Sequence, residues 1–256
     1  MSVNVAIVTG ASSGIGTAFA QRIDHRGDVD EIWLIARRKN RLEDLAASLI
    51  VPAYAISLDL TSQTDIDTFD ALLKRKKPTV RYLVNAAGLG CIGSIDTLSN
   101  QSQSMMVDLN CRASIELTTL VRPYLSRGSR ILEIVSCAAF TPLPYFGVYA
   151  ATKAFMLSYT RSLRWELHGT GIRITAVCPA WVKTEFIEKA QSTDSSAIRH
   201  FPFAQRPDVI ARRALSANTC HFAVACCSLT SFLLRIVGKF LPHCITMAGW
   251  EGIRRL

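Results

Sequence analysis

Metal-binding and disulfide signatures are missing from this 256-residue chain. It has eight cysteines, but no two form a Cys-x-x-Cys pair, and they show no zinc-type spacing with the five histidines. Several of the cysteines fall in apolar runs, where a free thiol behaves as a small hydrophobic side chain. We therefore expect no metal site, no disulfide framework and a reduced, cytosolic setting.

The chain also lacks repeats, linkers and low-complexity segments, which predicts one domain over residues 1–256. The first apolar run begins at residue 3, so we expect no signal peptide. The apolar stretch near the C-terminus is interrupted by Arg235 and Lys239, which makes it a poor transmembrane segment. These absences favour a cytoplasmic protein.

Acidic residues are in the minority, and the formal net charge is +9. The densest basic run is Lys74-Arg75-Lys76-Lys77, at the predicted end of a helix, where cations suit the helix dipole. There is no aromatic interleaving and no nucleic-acid-binding motif, so we expect no nucleic-acid partner.

A glycine-rich turn follows the first predicted strand, at residues 3–8. Its glycines have Gly-x-x-x-Gly-x-Gly spacing and precede a run with helical periodicity. Such a turn lets the backbone approach a pyrophosphate, which the helix N-terminus attracts. Taken alone, the motif also suits a plain glycine-rich βα turn. The residues that we predict to bind a dinucleotide here are Gly10, Ser12, Ser13, Gly14, Ile15 and Gly16.

No acidic residue closes the second predicted strand, at residues 31–35. Folds that prefer NAD usually place a carboxylate there for the ribose 2′-hydroxyl. Here Ala36 is followed by Arg37 and Arg38, and an arginine suits a 2′-phosphate. We expect Arg37 to bind NADP(H). We expect Arg38 and the basic residues after it to be the solvated start of a helix.

Three further residues indicate hydride chemistry. Ser136 ends a predicted strand at residues 128–136, and Tyr149 and Lys153 lie four apart on a predicted helix, so they share one face. A phenol has a reference pKa of about 10, and a nearby ammonium would favour the phenolate. We predict that Tyr149 is the acid/base and that Ser136 hydrogen-bonds the substrate oxygen. We also predict that Lys153 lowers the pKa of Tyr149.

Together these motifs resemble the short-chain dehydrogenase/reductase family over nearly all of residues 3–215. The family's Thr-Gly-x-x-x-Gly-x-Gly pattern, its Asn-Ala-Ala-Gly pattern and its serine, tyrosine and lysine are all present. The resemblance implies that Asn110 completes a proton relay through a bound water. It implies that Lys153 also holds the nicotinamide ribose, and that the protein forms a dimer or tetramer through the helices of Asn110 and Tyr149.

The resemblance also implies cofactor contacts beyond the glycine turn and beyond Tyr149 and Lys153. One motif departs from the family pattern, because Pro179-Ala180 stands where the family usually has Pro-Gly. The implied contacts are Asp59, Leu60, Asn85, Ala86, Gly88, Pro179, Val182 and Thr184.

Strand and helix signals alternate along the chain. After the first two strands, apolar runs at 53–58, 80–84, 130–135 and 172–177 predict further strands. This alternation predicts an α/β fold, a Rossmann-like doubly wound parallel sheet covered on both faces. Residues 218–256 differ from the family's usual ending and form a divergent C-terminal extension.

In this extension, a predicted strand at 221–225 precedes a strongly amphipathic helix at 228–241, which Pro242 ends. Its polar face has Ser231, Arg235 and Lys239. The stripe suits packing against its own domain or a sister subunit. With its cationic flanks it also suits peripheral contact with a membrane. Its apolar stripe consists of Leu229, Phe232, Leu233, Ile236, Val237, Phe240 and Leu241.

Aromatic residues beside the predicted relay indicate an apolar substrate pocket. We expect Phe140, Tyr145 and Trp181 to bind substrate together with Ser136 and Tyr149, and residues 188–206 to form a covering loop. The tail resembles that of family members acting on fatty-acyl or steroid substrates. The predicted function is NADP(H)-dependent interconversion of a ketone and a secondary alcohol on such a hydrophobic substrate. The alternatives are a non-enzymatic NADP(H) sensor and a membrane-associated interaction protein.

Overall fold

Seven parallel strands form one sheet in the computed structural model, which describes residues 2–192, 194, 197–198, 201 and 203–255. The order across the sheet is β3-β2-β1-β4-β5-β6-β7. The predicted Rossmann-like α/β fold is thereby confirmed. The strands are β1 (Asn4–Thr9), β2 (Glu31–Ala36), β3 (Ala53–Ser57), β4 (Thr79–Asn85), β5 (Leu125–Ile134), β6 (Arg173–Cys178) and β7 (Val224–Cys226).

Helices cover both faces of this sheet. They are α1 (Gly14–Asp24), α2 (Lys39–Ser48), α3 (Gln63–Lys76), α4 (Asn100–Val107), α5 (Ala113–Val121), α6 (Gly147–Glu166), α7 (Glu185–Gln191), α8 (Pro207–Thr219), α9 (Leu229–Phe240) and α10 (His243–Arg255). Successive side chains of a strand point to opposite faces. Accordingly, Ala6 and Val8 pack with α1, α2 and α8, whereas Val5 and Ile7 pack with α3 and α5.

The strand order reverses between β1 and β4, and this reversal positions the site. Strands added after β1 lead outward to β3, and those from β4 onward lead to β7 on the other side. The loops that follow β1 and β4 therefore diverge and leave a crevice at the carboxyl end of the sheet. Thr9 ties the two loops together, because its Oγ1 accepts the backbone N–H groups of Ala86 and Ala87, each at 3.0 Å.

Two strands begin or end more than one residue away from their predicted bounds. β5 ends at Ile134, and Ser136 lies just beyond it, where its hydroxyl accepts the N–H of Ala138 at 3.1 Å and begins a short 3₁₀ turn. The last strand begins at Val224 instead of residue 221. Its predicted first residue, His221, has a φ of 60°, which no strand accommodates.

The helix predicted at 228–241 is α9, but small residues form its closest contact with the domain. Ser231, predicted on the polar face, is fully buried and donates a hydrogen bond to the carbonyl of Cys178 at the end of β6. A Cβ atom on Gly238 would lie 2.2 Å from the carbonyl oxygen of Phe140. The predicted solvent-facing position of Ser231 is therefore wrong, since this side lets the helix approach β6 closely.

The predicted apolar stripe of α9 divides between two surroundings. Val237 and Leu241 border the crevice, whereas Leu229, Phe232, Leu233, Ile236 and Phe240 are exposed. Among the helices of the described residues, none is long and apolar enough to cross a bilayer. Part of the covering loop predicted at 188–206 lies outside the described residues, and its beginning belongs to α7.

Candidate active site

The crevice contains a cleft of about 750 Å³ that brings together most of the predicted site residues. Of the predicted residues, Asn85, Asn110, Phe140 and Tyr145 lie outside its lining. Those that line it are Gly10, Ser12, Ser13, Gly14, Ile15, Gly16, Arg37, Asp59, Leu60, Ala86, Gly88, Ser136, Tyr149, Lys153, Pro179, Trp181, Val182 and Thr184.

The glycine turn has the backbone that a dinucleotide pyrophosphate requires. Gly10 and Gly14 have φ values of 63° and 58°, in the left-handed region, and a Cβ atom on Gly10 would lie 2.8 Å from the carbonyl oxygen of Ala86. Ser13 precedes α1, but its side chain makes no capping hydrogen bond. The first N–H groups of α1 therefore have no side-chain cap from Ser13, and the turn fits an anionic group.

Two arginines after β2 border the same end of the cleft. Arg37 is largely exposed and lies 3.8 Å from the Asp59 carboxylate. The prediction that Arg38 is a solvated helix start is wrong. Its Nε donates to Ser12 Oγ at 3.2 Å, and its NH1 donates to a carboxylate oxygen of Glu185 at 2.7 Å. In the sequence, Arg38 directly follows Arg37. This adjacency was the available signal that either arginine could turn toward the cleft.

Asp59 and Leu60 follow β3 and line the cleft near Arg37. The Asp59 carboxylate accepts two hydrogen bonds from Thr61, at 2.9 Å from the backbone N–H and 2.7 Å from the hydroxyl. Burial tends to raise the pKa of Asp59, but these bonds and the charge of Arg37 lower it below its usual value. Asp59 therefore stays ionised and hydrogen-bonded at neutral pH.

Asn85 departs from the predicted role of a cofactor contact. Its amide nitrogen donates to Glu133 Oε1 at 2.6 Å and to Thr118 Oγ1 at 3.0 Å, inside the sheet. Asn85 and Glu133 face each other in the β4–β5 register, which directs the amide away from the cleft. Burial raises the pKa of Glu133 to about 7. This buried carboxyl lies within the predicted strand at 130–135, but it was not among the predicted site residues.

Ser136, Tyr149 and Lys153 are buried together at the centre of the cleft. Lys153 lies one turn after Tyr149 on α6, with its Nζ 5.6 Å from the tyrosine ring centroid. That Nζ donates to the carbonyl of Ile134 at 2.8 Å, which anchors the lysine at the end of β5. The three side chains thus converge from the end of β5 and from one face of α6.

The pKa of Tyr149 is raised above its usual range, chiefly because the phenol is buried, and hydrogen bonding to Ser136 opposes the shift. Burial also lowers the pKa of Lys153 to about 8. The expected lowering of the Tyr149 pKa is therefore not found in the protein alone, since burial outweighs the hydrogen bond to Ser136. At neutral pH the phenol holds its proton and can donate it.

Asn110 lies behind the cleft in a π-helical turn, Asp108–Arg112, between α4 and α5. Its Nδ2 donates to the carbonyl of Leu89 at 2.8 Å and to Thr152 Oγ1 at 3.0 Å, and its Oδ1 accepts the N–H of Leu89 at 2.8 Å. These bonds fix the loop after β4. A Cβ atom on Gly88 would lie 3.3 Å from Asn110 Oδ1 and 3.6 Å from Lys153 Nζ, so both side chains border this glycine.

Aromatic rings form the wall next to Tyr149. Phe146 stacks on Tyr149 with ring centroids 4.2 Å apart, and Trp181 stacks beyond Phe146 at 6.3 Å. The Phe186 ring centroid lies 5.6 Å from that of Tyr149. Phe146, Trp181 and Phe186 all line the cleft. Trp181 was one of the predicted substrate contacts, and Phe146 and Phe186 belong to the aromatic segments beside the relay from which the apolar pocket was predicted.

Phe140 and Tyr145 do not have their expected positions in this wall. Phe140 packs on the cluster of Val135, Met156 and Cys178. Tyr145 is partly exposed beneath the guanidinium of Arg254, whose Cζ lies 3.8 Å from the ring centroid. Phe140 lies close to α9, because the small Gly238 leaves room for it there. Tyr145 has a positive φ of 65°, which turns that residue outward.

The C-terminal helices close the substrate end of the cleft, which sequence reasoning missed for α10. Trp250 Nε1 donates to the carbonyl of Pro144 at 2.9 Å, and the hydroxyls of Thr141 and Thr246 are 2.6 Å apart. The lining residues from these helices and their junction are Thr230, Leu234, Val237, Leu241, Ile245, Thr246, Gly249, Trp250 and Ile253, all uncharged. In the sequence, the helical spacing of Thr246, Trp250 and Ile253 was the signal that could have indicated a helix face lining the cleft.

Comparison with known proteins identifies the family. The family model for short chain dehydrogenases matches residues 4–195, which include the glycine turn, Ser136, Tyr149 and Lys153. The chain belongs to this family. It is therefore an oxidoreductase of alcohol or carbonyl groups, as the sequence resemblance implied.

Individual relatives differ in their substrates and nucleotides. The chain is 34% identical to a sulfoacetaldehyde reductase of Chromohalobacter salexigens, over 74% of this chain and 77% of that protein. A short-chain dehydrogenase from Sphingobium yanoikuyae, solved with NADPH, is 29% identical, with a TM-score of 0.79 and 93% of each chain covered. One from Burkholderia phymatum, solved with NAD, shares the fold at 19% identity, with a TM-score of 0.80 and 92% of each chain covered.

The described residues contain no group of three or more histidine, cysteine or acidic side chains arranged to hold a metal ion. All eight cysteines are free thiols.

Proposed function

We propose that this protein is an NADP(H)-dependent oxidoreductase that interconverts a ketone and a secondary alcohol on a hydrophobic substrate. The observation that carries the proposal is that Ser136, Tyr149 and Lys153 line the same cleft as the glycine turn. The serine and the phenol can therefore hydrogen-bond a carbonyl oxygen in this cleft. The glycine turn closes the other end of the same cleft.

The proposed cofactor preference rests on the groups after β2. Ala36 provides no carboxylate for a ribose 2′-hydroxyl, and Arg37 and Arg38 both line the cleft at this end. We propose that the two guanidinium groups bind a 2′-phosphate, with Arg38 held in place by Ser12 and Glu185. The glycine turn and the N-terminus of α1 would hold the pyrophosphate, and Lys153 the nicotinamide ribose. When bound, the nicotinamide supplies or accepts the hydride.

The proton path follows from burial and charge. In carbonyl reduction, Tyr149 donates its phenolic proton to the substrate oxygen while Ser136 hydrogen-bonds the same oxygen. The raised pKa of Tyr149 keeps the phenol protonated at neutral pH, which favours this direction. Lys153 stabilises the phenolate left behind, and Asn110 fixes the loop behind Lys153 and holds the water that passes the proton onward.

The proposed hydrophobic substrate is supported by the composition of the closed end. Phe146, Trp181 and Phe186 form one wall, and the residues from α9 and α10 are uncharged. Sulfoacetaldehyde, after which the relative from Chromohalobacter salexigens is named, is a small anion. An apolar enclosure favours a larger ketone of steroid or fatty-acyl type, because burial of apolar surface in such a pocket lowers the free energy of binding.

We also propose a homodimer or homotetramer in a reduced, cytosolic setting. The helices of Asn110 and Tyr149 support the assembly, because Val107, Phe155 and Trp165 on these helices are 48%, 49% and 78% exposed. The free thiols of all eight cysteines support the setting. Sedimentation velocity of the wild type and of Phe155→Gln tests the assembly, and an unchanged monomer in both would contradict it.

An NADPH-oxidation screen tests the function. Steroid ketones and 3-oxoacyl thioesters are compared with small aldehydes, sulfoacetaldehyde among them. We expect turnover with the large ketones and loss of turnover in Tyr149→Phe, which keeps the ring. NADPH binding without turnover on any carbonyl would favour the sensor alternative. Preferential turnover of sulfoacetaldehyde would contradict the proposed substrate class but not the reaction.

A further inference from the structure

Helix α9 presents two different apolar faces. Its inner residues line the cleft. Its outer residues, at positions 229, 232, 233, 236 and 240, recur at helical spacing on an adjacent side and point to solvent. We call this set the outer apolar face. Its members and their exposed fractions are Leu229 (72%), Phe232 (48%), Leu233 (51%), Ile236 (40%) and Phe240 (73%).

Isolated exposed apolar residues are ordinary on a protein surface, and Ile50 is one at 87% exposure. Five large ones on a single face of a helix form a contiguous patch, and such patches mark interaction sites. Leu241 and Ile245, which line the cleft, are also exposed, at 42% and 53%. The position of α9 does not depend on this face, because Ser231 and Gly238 make its close contacts with the domain.

The C-terminal sequence that contains the outer apolar face is strongly positive. Residues 209–256 contain six lysines and arginines and one acidic residue, which accounts for five of the nine excess positive charges. That acidic residue, Glu251, forms an ion pair with Arg254 at 2.6 Å. Lys239 adjoins the outer apolar face, with its Nζ 5.5 Å from the ring centroid of Phe240, and Arg235 precedes it by one turn.

An apolar helix face edged by cations matches the surface of an anionic bilayer. Apolar side chains enter the boundary between headgroups and acyl chains, and lysines and arginines remain among the phosphates. We propose that the outer apolar face of α9 binds the surface of an anionic phospholipid bilayer. The helix lies parallel to the membrane, with Lys239 and Arg235 at headgroup level.

This contact would connect the membrane with the proposed site. Leu234 and Val237 line the cleft on the inner face of the same helix that Leu233 and Phe240 would hold against lipid. Only α9 would then separate a hydrophobic substrate dissolved in the bilayer from the cleft. The binding itself does not depend on the proposed reaction, since no catalytic group takes part in it.

Flotation with vesicles of phosphatidylcholine and phosphatidylglycerol tests the proposal on the full chain without cofactor. The test variant is Leu233→Gln/Phe240→Gln, and the matched control is Ile50→Gln/Ile95→Gln, which removes two other highly exposed apolar residues. We expect wild type and control to float, and the test variant to partition on the order of tenfold more weakly. Lys239→Glu should weaken binding to the anionic vesicles in the same direction.

Circular dichroism of each variant establishes that it is folded, and turnover of a water-soluble ketone should be equal in all of them. Failure of the wild type to float would overturn the proposal, as would equal flotation of the test variant and the control. So would a wild-type dimer in sedimentation that Leu233→Gln/Phe240→Gln dissociates while no form binds vesicles, because a second copy would then cover this face.

Discussion

The guanidinium of Arg38 is held against Ser12 of the glycine turn, with its Nε and NH2 each 3.2 Å from the serine hydroxyl oxygen. Its NH2 also lies 3.2 Å from the Ser12 carbonyl oxygen, and its NH1 pairs with Glu185. The loop after β2, the glycine turn and α7 therefore meet at one side chain. This junction lies where the proposed 2′-phosphate would bind.

Arg38→Ala should weaken NADPH binding about 10- to 100-fold, which corresponds to roughly 1.5–3 kcal/mol for a hydrogen-bonded charge. NADH binding should change much less, because NADH has no 2′-phosphate. Arg37→Ala should give a smaller loss in the same direction, since Arg37 is largely exposed. Fluorescence titration of both nucleotides measures the effect, with Lys39→Ala as a neutral control. Equal losses for NADPH and NADH would mean that Arg38 only supports the turn.

Carbonyl reduction and alcohol oxidation should respond oppositely to pH. The raised pKa of Tyr149 keeps the phenol protonated, so reduction should be near its maximum at neutral pH. Oxidation requires the phenolate and should therefore become faster as pH rises above neutral. Initial rates in both directions between pH 6 and 10 measure this. Tyr149→Phe should lower both rates by about 10²- to 10⁴-fold while NADPH still binds. Parallel pH profiles in the two directions would contradict the role of Tyr149.

Glu133→Gln should stabilise the protein at alkaline pH. The folded state raises the pKa of this buried carboxyl from 4.5 to about 7, so it binds the proton more tightly than the unfolded chain does. The free energy of unfolding therefore decreases as pH rises from 4.5 to about 7 and stays low above it. Glutamine cannot ionise, and its Oε1 can accept the same bonds from Asn85 and Thr118.

At pH 8 the Glu133→Gln variant should exceed the wild type by up to about 3 kcal/mol, and the two should converge near pH 4.5. Urea unfolding at the two pH values measures the difference. Glu43→Gln, an exposed acid on α2, is the control and should show no such gap. A wild type more stable than Glu133→Gln at pH 8 would mean that ionised Glu133 stabilises the fold.

Gly238→Ala should disturb the substrate end without touching the relay. Its added methyl would meet the carbonyl of Phe140, and α9 would have to move outward. We expect a loss of about 1–3 kcal/mol in stability and a higher KM for large ketones with a smaller change in kcat. In the control, Gly252→Ala on α10, the added Cβ meets nothing within 4 Å. That variant should be neutral or slightly stabilising. Similar KM values in the two variants would contradict a substrate role for α9.

The fold and the positions of Ser136, Tyr149 and Lys153 were predictable because their signals are local. Apolar runs marked the strands, glycine spacing marked the turn, and the i, i+4 relation put Tyr149 and Lys153 on one helix face. The packing of α9 was not predictable in the same way. Hydrophobic periodicity identified its apolar stripe but favoured that stripe as the packing face, whereas a serine and a glycine allow the closest approach.

Other departures depend on contacts between residues distant in sequence. Arg38 bonds to Glu185, which is 147 positions away. Tyr145 lies beneath Arg254 instead of in the pocket, and Asn85 turns to Glu133 on the next strand. In each case the sequence placed the residue in or beside a motif of the site. The direction of its side chain depends on a partner that no local pattern specifies.

The matched family segment ends at residue 195, before every part of α9 and α10. The proposed relay and the glycine turn thus belong to one stretch of sequence, and much of the proposed substrate enclosure belongs to another. Under the proposed function, substitutions in residues 230–253 should change which carbonyl compounds fit while the chemical step is inherited unaltered. If the proposed function holds, substrate range and reaction chemistry are separately heritable along a single chain, and exchanging only the tail between relatives should transfer the former.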